Sequence, residues 1–496
     1  MSVYYSDDQV TLYHGDCVEV MAGMDAASVD AVVTDPPYGL EFMGKDWDRP
    51  WAVTAAAGVG FDGRADDLTL PRHRDSRNAN CRACGGRQRG SKRCSCDHPR
   101  WDRDPASDMR EFQAWCATWA TELLRVLKPG GHLIAFGGTR TWHRLACAIE
   151  DAGFEVRDSI AWLYGSGFPK SLDVSKAIDK AAGAERTEKL RPKAGHEDFV
   201  GRDNMKSLRE SGALSGEGGF SRPWMSDPDA VERAHWDFAP VTDAAKQWQG
   251  WGTALKPAHE PIVVARKPLA GTVAANVTEH GTGAINIDAC RVDSEPRRIE
   301  NYASTGPQGC ISHGHGGGEG HAGRERTVRI ETAGRWPTNV LLDEHAAAEL
   351  DQQSGTLKSG KPGIKRKGND SPTYGAESRP PGTQMPGYGD EGGASRFFPV
   401  FRYEAKADSA ERPSVNGVQH PTVKPLELMR WLVRLVTPPG GVVLDPFAGS
   451  GTTAEACIHE HKRCIAIERE ADYLSLITAR LTKPMEIGFD FGEEDR

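Results

Sequence analysis

The residues best equipped for chemistry are Asp35, Pro36, Pro37 and Tyr38, which interrupt the stretch "VDAVVTDPPYGLEF" (29–42). An apolar run leads into an acid, two prolines and a tyrosine, a combination that continues neither a strand nor a helix. A strand that halts there sets a carboxylate and a rigid turn at the carboxyl edge of a sheet, where open α/β sheets bind ligands. Consider an exocyclic amino group on a nucleobase, whose lone pair is delocalised into the ring. If Asp35 and the Pro36 carbonyl each accept one N–H, the nitrogen can pyramidalise and turn that lone pair toward an electrophilic methyl group. Tyr38 offers a ring on which the base can stack. A base inside a duplex reaches such a pocket only by being flipped out. The bland alternative is an ordinary strand-ending turn, since Asp-Pro commonly starts one.

A second stretch, "VVLDPFAGSGTTAEA" (442–456), sets Gly449-x-Gly451-x-x-Ala454 between a predicted strand and a predicted helix. Glycines there permit a tight turn and a close approach of ligand to backbone. Asp445 ends the strand, where a carboxylate can meet a cationic amine. Glu468 ends the next strand, "CIAIE", at about the separation expected of an acid gripping ribose hydroxyls. The helix N-terminus near Gly451 favours an anionic group. A glycine turn that merely packs helix on strand is one alternative, and a nicotinamide cofactor is another. S-adenosylmethionine fits better, because it offers an amine, a carboxylate and a ribose without a pyrophosphate.

These residues need elements to hold them, and the hydrophobic pattern supplies strand–helix units at both chain ends. Strands are predicted over 9–16, 29–35, 132–138, 158–165 and 259–268, with helices over 109–131, 141–152 and 471–481. Strand–helix alternation implies an α/β fold, a mostly parallel sheet covered on both faces. The economical reading is one Rossmann-like sheet assembled from both ends of the chain. The catalytic core then comprises 1–48, 105–179, 251–268 and 396–484. It is interrupted by a basic Cys-rich insertion (49–104), a charged insertion (180–250) and a Gly/Pro/Ser-rich block (269–395), and it ends in an acidic tail (485–496).

"DPPY", "DPFAGSGTT" and "HPTVKPLELMRWLV" (420–433) together resemble the amino-methylating DNA methyltransferases. Their order, with the target-base motif first and the cofactor motif last, is similar to the β class. The resemblance implies a seven-stranded methyltransferase sheet, S-adenosylmethionine as cofactor and double-stranded DNA as partner. It implies that 269–395 is the target recognition region. His420, Thr422, Lys424 and Pro425 would close over the methionine part of the cofactor, and Asp16 would hold its adenine amine. Pro446, Phe447, Ser450 and Thr452 belong to the cofactor motif with Asp445, Gly449, Gly451 and Glu468. The loop "WLYGSGFPKS" (162–171) would lie beside the target base, with Tyr164 or Phe168 stacking and Lys170 on phosphate, although either aromatic could equally be packing. Asp35 at the first motif position points to adenine N6, with cytosine N4 as the alternative. An RNA or protein amide methyltransferase and a non-catalytic DNA-binding module are the rival readings. Glu404-Ala-Lys406 resembles half of a nuclease motif without a convincing partner. The chain therefore reads as a stand-alone methylase, monomeric or homodimeric, with a cognate restriction endonuclease as a partner to consider.

The chain has 496 residues, 38% hydrophobic and 26% charged, and a formal charge of −9. No apolar run approaches the roughly 20 residues that span a bilayer. The N-terminus lacks a signal peptide's features, so no membrane association and a cytoplasmic location are expected. Four of the eleven cysteines form Cys81-x2-Cys84-x9-Cys94-x-Cys96, a set that could close a tetrahedral structural zinc site, with His98 as a substitute ligand. Free thiols in a flexible loop are the alternative. Residues 72–103 carry ten Lys/Arg against three Asp, a charge that suits DNA phosphate. His313, His315 and His321 sit in a glycine-rich stretch without matched ligands and read as loop.

Overall fold

A computed structural model of the chain describes residues 2–39, 105–165, 167, 171–192, 236–292, 297–302, 326–331, 334–358, 364–365, 384–385, 390–402, 414–415 and 417–483. Two units are distinguished, one formed by 1–166 with 258–496 and the other by 167–257.

The first unit is built on β1 (Ser2–Ser6), β2 (Val10–His14), β3 (Val29–Thr34), β4 (Leu127–Phe136), β5 (Glu155–Leu163), β6 (His259–Arg266), β7 (Val340–Asp343), β8 (Val400–Phe401), β9 (Val442–Asp445) and β10 (Arg463–Glu468). They form one sheet in the order β1-β2-β10-β9-β3-β4-β6-β5-β7-β8. The sheet is therefore assembled from both chain ends: β9 pairs in parallel with β3, and β10 with β2. Parallel pairing dominates, but β1 runs antiparallel to β2, and β6 antiparallel to both β4 and β5. Ten strands form this sheet, not the expected seven. Two of them, β7 and β8, add an edge beyond β5. Of these β7 arises within the block read as irregular, followed by a helix at Glu344–Ser354 that Asp343 caps.

The reason β3 sits centrally is in its composition. All six residues of "VDAVVT" are buried, as a parallel strand covered on both faces requires. Its one charge, Asp30, accepts from Lys128 Nζ at 2.6 Å and from the Val442 amide at 2.8 Å. A buried acid thus ties β3 to its two neighbours at the amino end of the sheet.

Alternate residues on the strands feed two cores. Val10, Leu12, Ala31, Val33, Ile134 and Phe136 face one cluster, which includes residues of α6 (Leu426–Val436), α7 (Thr452–His459) and α8 (Ala471–Leu481). Val32, Leu133 and Ala135 face the other, with α1 (Cys17–Ala22), α2 (Pro105–Val126) and α3 (Trp142–Asp151). The first unit also contains the helices α4 (Val273–His280) and α5 (Glu344–Ser354).

Helix α2 ends five residues earlier than its sequence pattern suggests. Lys128 precedes a proline, which disfavours helical geometry at that residue. Leu127 instead pairs with Val29, and a register shift before the Ala31–His132 pair, with the extra residues on β4, lets that strand pass through Gly130 at φ +77°.

The second unit holds helices Val174–Ala181 and Asp243–Gln247 and the strand pair Lys189–Pro192 with Trp236–Phe238. Its buried Asp179 accepts from the amides of Val241 and Thr242, the Thr242 hydroxyl and Arg186.

The zinc expectation falls on Cys81, Cys84, Cys94 and Cys96, which lie outside the described residues. Among the described residues no group of three or more His, Cys, Asp or Glu could hold a metal. Nor is any helix among them long and apolar enough to cross a membrane.

Candidate active site

Strands β3 and β9 are parallel neighbours, with Ala31 beside Val443 and Val32 beside Leu444. Both end in Asp-Pro, so the two turns emerge side by side at the carboxyl edge. They are bonded directly: Thr34 Oγ1 donates to Asp445 Oδ1 at 2.7 Å, and the Phe447 amide donates to the same oxygen at 3.1 Å. Burial pushes the Asp445 carboxyl up to about 6, against the pull of hydrogen bonds from Thr453, Thr34 and Phe447. Asp445 therefore meets protein donors where the sequence suggested a cofactor amine.

The Asp35 turn is held by charge. Lys424 Nζ lies 2.8 Å from Asp35 Oδ2 and 3.1 Å from Glu260 Oε2. It also donates to the Tyr38 hydroxyl at 3.1 Å. That hydroxyl is 2.9 Å from Asp35 Oδ1 and 3.2 Å from Glu260 Oε2, and its single proton can go to only one of them. Burial and the two nearby carboxylates hold the Tyr38 phenol well above its ordinary range. Lys424 is also raised: burial lowers it, but Asp35 and Glu260 outweigh burial and keep it charged. Its ammonium lies 4.8 Å from the Phe136 ring centre. Behind the turn, the Thr141 hydroxyl donates to the Tyr38 carbonyl at 2.7 Å.

The third component is the glycine turn. Gly449 has φ +53° and Gly451 φ +80°, both in the left-handed region that side chains resist. A Cβ on Gly449 would stand 3.2 Å from His420 Nε2, and one on Gly451 2.9 Å from the Ile477 side chain. Glu468 fixes this turn, accepting from the Gly449 amide at 2.7 Å through one oxygen and from the Glu470 amide at 2.8 Å through the other. Its carboxyl is pushed up to about 7, chiefly by burial. Ser450 and Thr452 hydroxyls lie 3.1 Å apart beneath the turn. His420 packs edge-on against Tyr473 at 4.6 Å and contacts the Thr422 carbonyl through Nδ1. Burial lowers its pKa.

Several sequence-predicted residues thus converge. Asp35 and Tyr38 meet Lys424, Gly449 meets His420, and Pro36 is buried between β3 and Tyr38. Pro425 opens α6 and accepts from the Met429 amide. Others take different neighbours. Lys424 contacts the target-base turn. Asp16 caps α1, accepting from the Val18 and Glu19 amides. Phe447 packs between Trp115 and Trp119 at 5.7 and 5.6 Å, on the sheet face opposite the cluster that Tyr38 joins. Tyr164 packs against Trp162 at 5.4 Å. Phe168 and Lys170 lie outside the described residues.

Sequence reasoning missed Glu260, Thr141 and Phe136. For Glu260 a signal existed. "HEPIVVAR" places an acid and a proline at the start of an apolar strand. Because β6 runs antiparallel to β4, its beginning lies at the edge where the parallel strands finish.

The glycine turn fits a cofactor with an adenosyl and amino-acid part. It exposes backbone at a left-handed glycine, keeps a carboxylate behind that backbone and has a neutral-leaning imidazole beside it.

The profile of a family described as DNA methylase matches residues 29–479. Over 278 residues the chain is 22% identical to the type II methyltransferase M.HindIII of Haemophilus influenzae, covering 55% of this chain and 64% of that protein. Over 82 residues it is 33% identical to the type II methyltransferase M.ScaI of Streptomyces caespitosus, covering 16% and 27% of the respective chains. The chain thus spans less than two thirds of either relative's length. Among solved structures, the cytosine-N4-specific PvuII DNA methyltransferase aligns at 12% identity and a TM-score of 0.38, covering 96% of this chain and 88% of that one.

Proposed function

This chain belongs to the DNA methylase family, and from that premise we propose that it transfers a methyl group from S-adenosylmethionine to the exocyclic amino group of a flipped base in double-stranded DNA, adenine N6 in particular. The observation that carries this reading is the pairing of two Asp-Pro turns on adjacent parallel strands, joined by the Thr34–Asp445 hydrogen bond. One turn can hold an amino group and the other can hold a methyl donor.

When bound, S-adenosylmethionine supplies an electrophilic methyl whose C–S bonding pair stays on sulfur. Gly449, Ser450, Gly451 and Thr452, with Pro446, Phe447, Glu468 and Asp16, would hold it, with His420, Thr422 and Pro425 closing over them. Asp445 fixes the turn from below. Asp35 and the Pro36 carbonyl accept the two amino protons, so the nitrogen's lone pair is free to form the new N–C bond. The nitrogen then loses a proton, which Asp35 can take and pass to water. Tyr38 stacks on the base. Positioning and preorganised charge do the work, and no covalent enzyme intermediate is needed. Adenine is the proposed base because the motif begins with Asp. Cys81, Cys84, Cys94 and Cys96 are proposed to bind a structural zinc in the basic insertion, which would contact phosphate, and metal analysis of wild type against C81S and C84S tests it.

The test of function is incubation with tritiated cofactor and duplex DNA, RNA or protein, followed by nucleoside analysis. Label in N6-methyldeoxyadenosine is expected. Label in N4-methyldeoxycytidine would overturn the choice of base, and label in RNA or protein the choice of substrate.

A further inference from the structure

Two carboxylates share one ammonium at the Asp35 turn, and the reading above uses only one of them. We propose that Glu260 is a positioning residue for methyl transfer: by competing for Lys424, it leaves Asp35 with surplus negative charge to direct at the reacting nitrogen. This rests on the proposed amino-methyl transfer and names a residue which that reading leaves without a role.

Lys424 contacts Asp35 at 2.8 Å and Glu260 at 3.1 Å, and the Tyr38 hydroxyl contacts all three groups. With both acids ionised and Tyr38 a neutral phenol, the cluster carries a net charge of −1. Asp35 paired with Lys424 alone would be a closed ion pair: lone pairs would remain on both oxygens, but its charge would be cancelled. Such a carboxylate is a poor acceptor for an amino N–H. Glu260, on the same ammonium, draws part of that attraction away. The need is greatest during transfer: as the N–C bond forms and the C–S bond breaks, positive charge moves from sulfur to nitrogen until a proton leaves. A fixed negative cluster beside the nitrogen stabilises that charge in a site of low dielectric. The fold supplies Glu260 from β6, the antiparallel strand that begins where β3 and β4 end. The three side chains are only 11 to 26% exposed, so water screens them weakly.

The count makes a prediction that an ordinary structural role does not. E260Q takes the cluster from −1 to 0, and adding K424Q returns it to −1. In the full-length protein, E260Q should lower kcat by about 10–100-fold. Its KM for DNA and its equilibrium affinity for cofactor should stay within about threefold, a small ground-state change. The E260Q/K424Q double variant should regain at least about fivefold over E260Q, although each single change is harmful. E260D, which keeps the charge, should retain most of the wild-type kcat. Without any ligand, thermal unfolding should show coupling too: K424Q should cost less Tm in the E260Q background than in wild type. The inference is overturned if E260Q keeps kcat within twofold, if the two losses simply multiply, or if E260D is as impaired as E260Q. A wild-type protein that methylates no DNA would instead overturn the underlying function along with it.

Discussion

The molecule contains the same dipeptide twice at one sheet edge, Asp35-Pro36 after β3 and Asp445-Pro446 after β9, and treats the two differently. Asp35 is partly buried and faces a cation and a phenol. Asp445 is buried and faces a hydroxyl and a backbone amide. A cation shared with a second carboxylate leaves Asp35 able to accept from an incoming donor. Neutral donors in a buried site make it a fixed joint, at the cost of a raised pKa. Sequence position alone does not separate the two roles, because the neighbours that decide them arrive from distant segments: Lys424 and Glu260 for one, Thr34 for the other.

The sharpest way to break this comparison is to delete the exchangeable acid. D35A should lower methyl transfer by about 10³-fold or more while cofactor binding persists, because the lost contact is made to the amino group. Single-turnover rates with radiolabelled cofactor measure the first quantity and equilibrium titration the second. If D35A binds cofactor far more weakly but transfers at the wild-type rate when saturated, the roles of the turns are exchanged. G449V should do the converse. At φ +53° a β-branched residue is strained, and its Cβ would crowd His420. Cofactor affinity should fall by about 100-fold or more, in keeping with a strain of a few kcal/mol at the turn.

These assignments divide by how local their causes are. The two turns were legible because proline and glycine restrict the backbone wherever they stand. Helix α8 was legible at Ala471–Leu481 because its apolar periodicity and its boundaries agree. The pairing of chain ends was legible from strand–helix alternation. Glu260 was not, since its meaning depends on β6 being antiparallel, and no local pattern distinguishes that from one more parallel strand. Strand β7 has four residues in a glycine-rich block, too short to show a period, and becomes a strand by pairing with β5. The functions suggested for Lys424 and Asp16 came from motif position. Their neighbours in the fold, a target-side carboxylate and a helix end, come from tertiary placement.

A smaller effect separates the acids by pH. Asp445 has its carboxyl pushed from the ordinary value of 3.8 up to about 6. The folded state thus holds a proton that the unfolded chain releases first, so this contribution to stability is complete below about pH 4 and lost as pH rises through about 6. Asparagine keeps an acceptor there and carries no charge. D445N should match wild type near pH 4 and exceed its stability by about 1–3 kcal/mol at pH 8, measured by denaturant unfolding at both values. Glu468, pushed up to about 7, and His132, pushed down to about 4 mainly by burial, add slopes of opposite sign; the His132 slope is common to both variants, whereas D445N also removes the small upward push of Asp445 on Glu468. The same variant tests whether Asp445 holds a cofactor amine: a loss of more than about tenfold in cofactor affinity would move it from joint to ligand.

The smallest effect probes the joint itself. Thr34 is fully buried, and its hydroxyl gives the 2.7 Å hydrogen bond that links the strand ends. Valine matches its shape without the donor. T34V should cost about 1 kcal/mol of stability, the net worth of one such bond, since the Phe447 amide still serves the acceptor. It should also raise the Asp445 pKa further, because a donor that favours the charged form is gone. That makes the pH dependence of unfolding steeper above pH 6 in T34V than in wild type. Transfer rate at cofactor saturation should change by less than about threefold, a small fraction of the effect expected for a group that touches reacting atoms. A T34V protein with unchanged unfolding but a rate down a hundredfold would mean that the link between the two turns is chemical, and the division drawn between Asp35 and Asp445 would not hold.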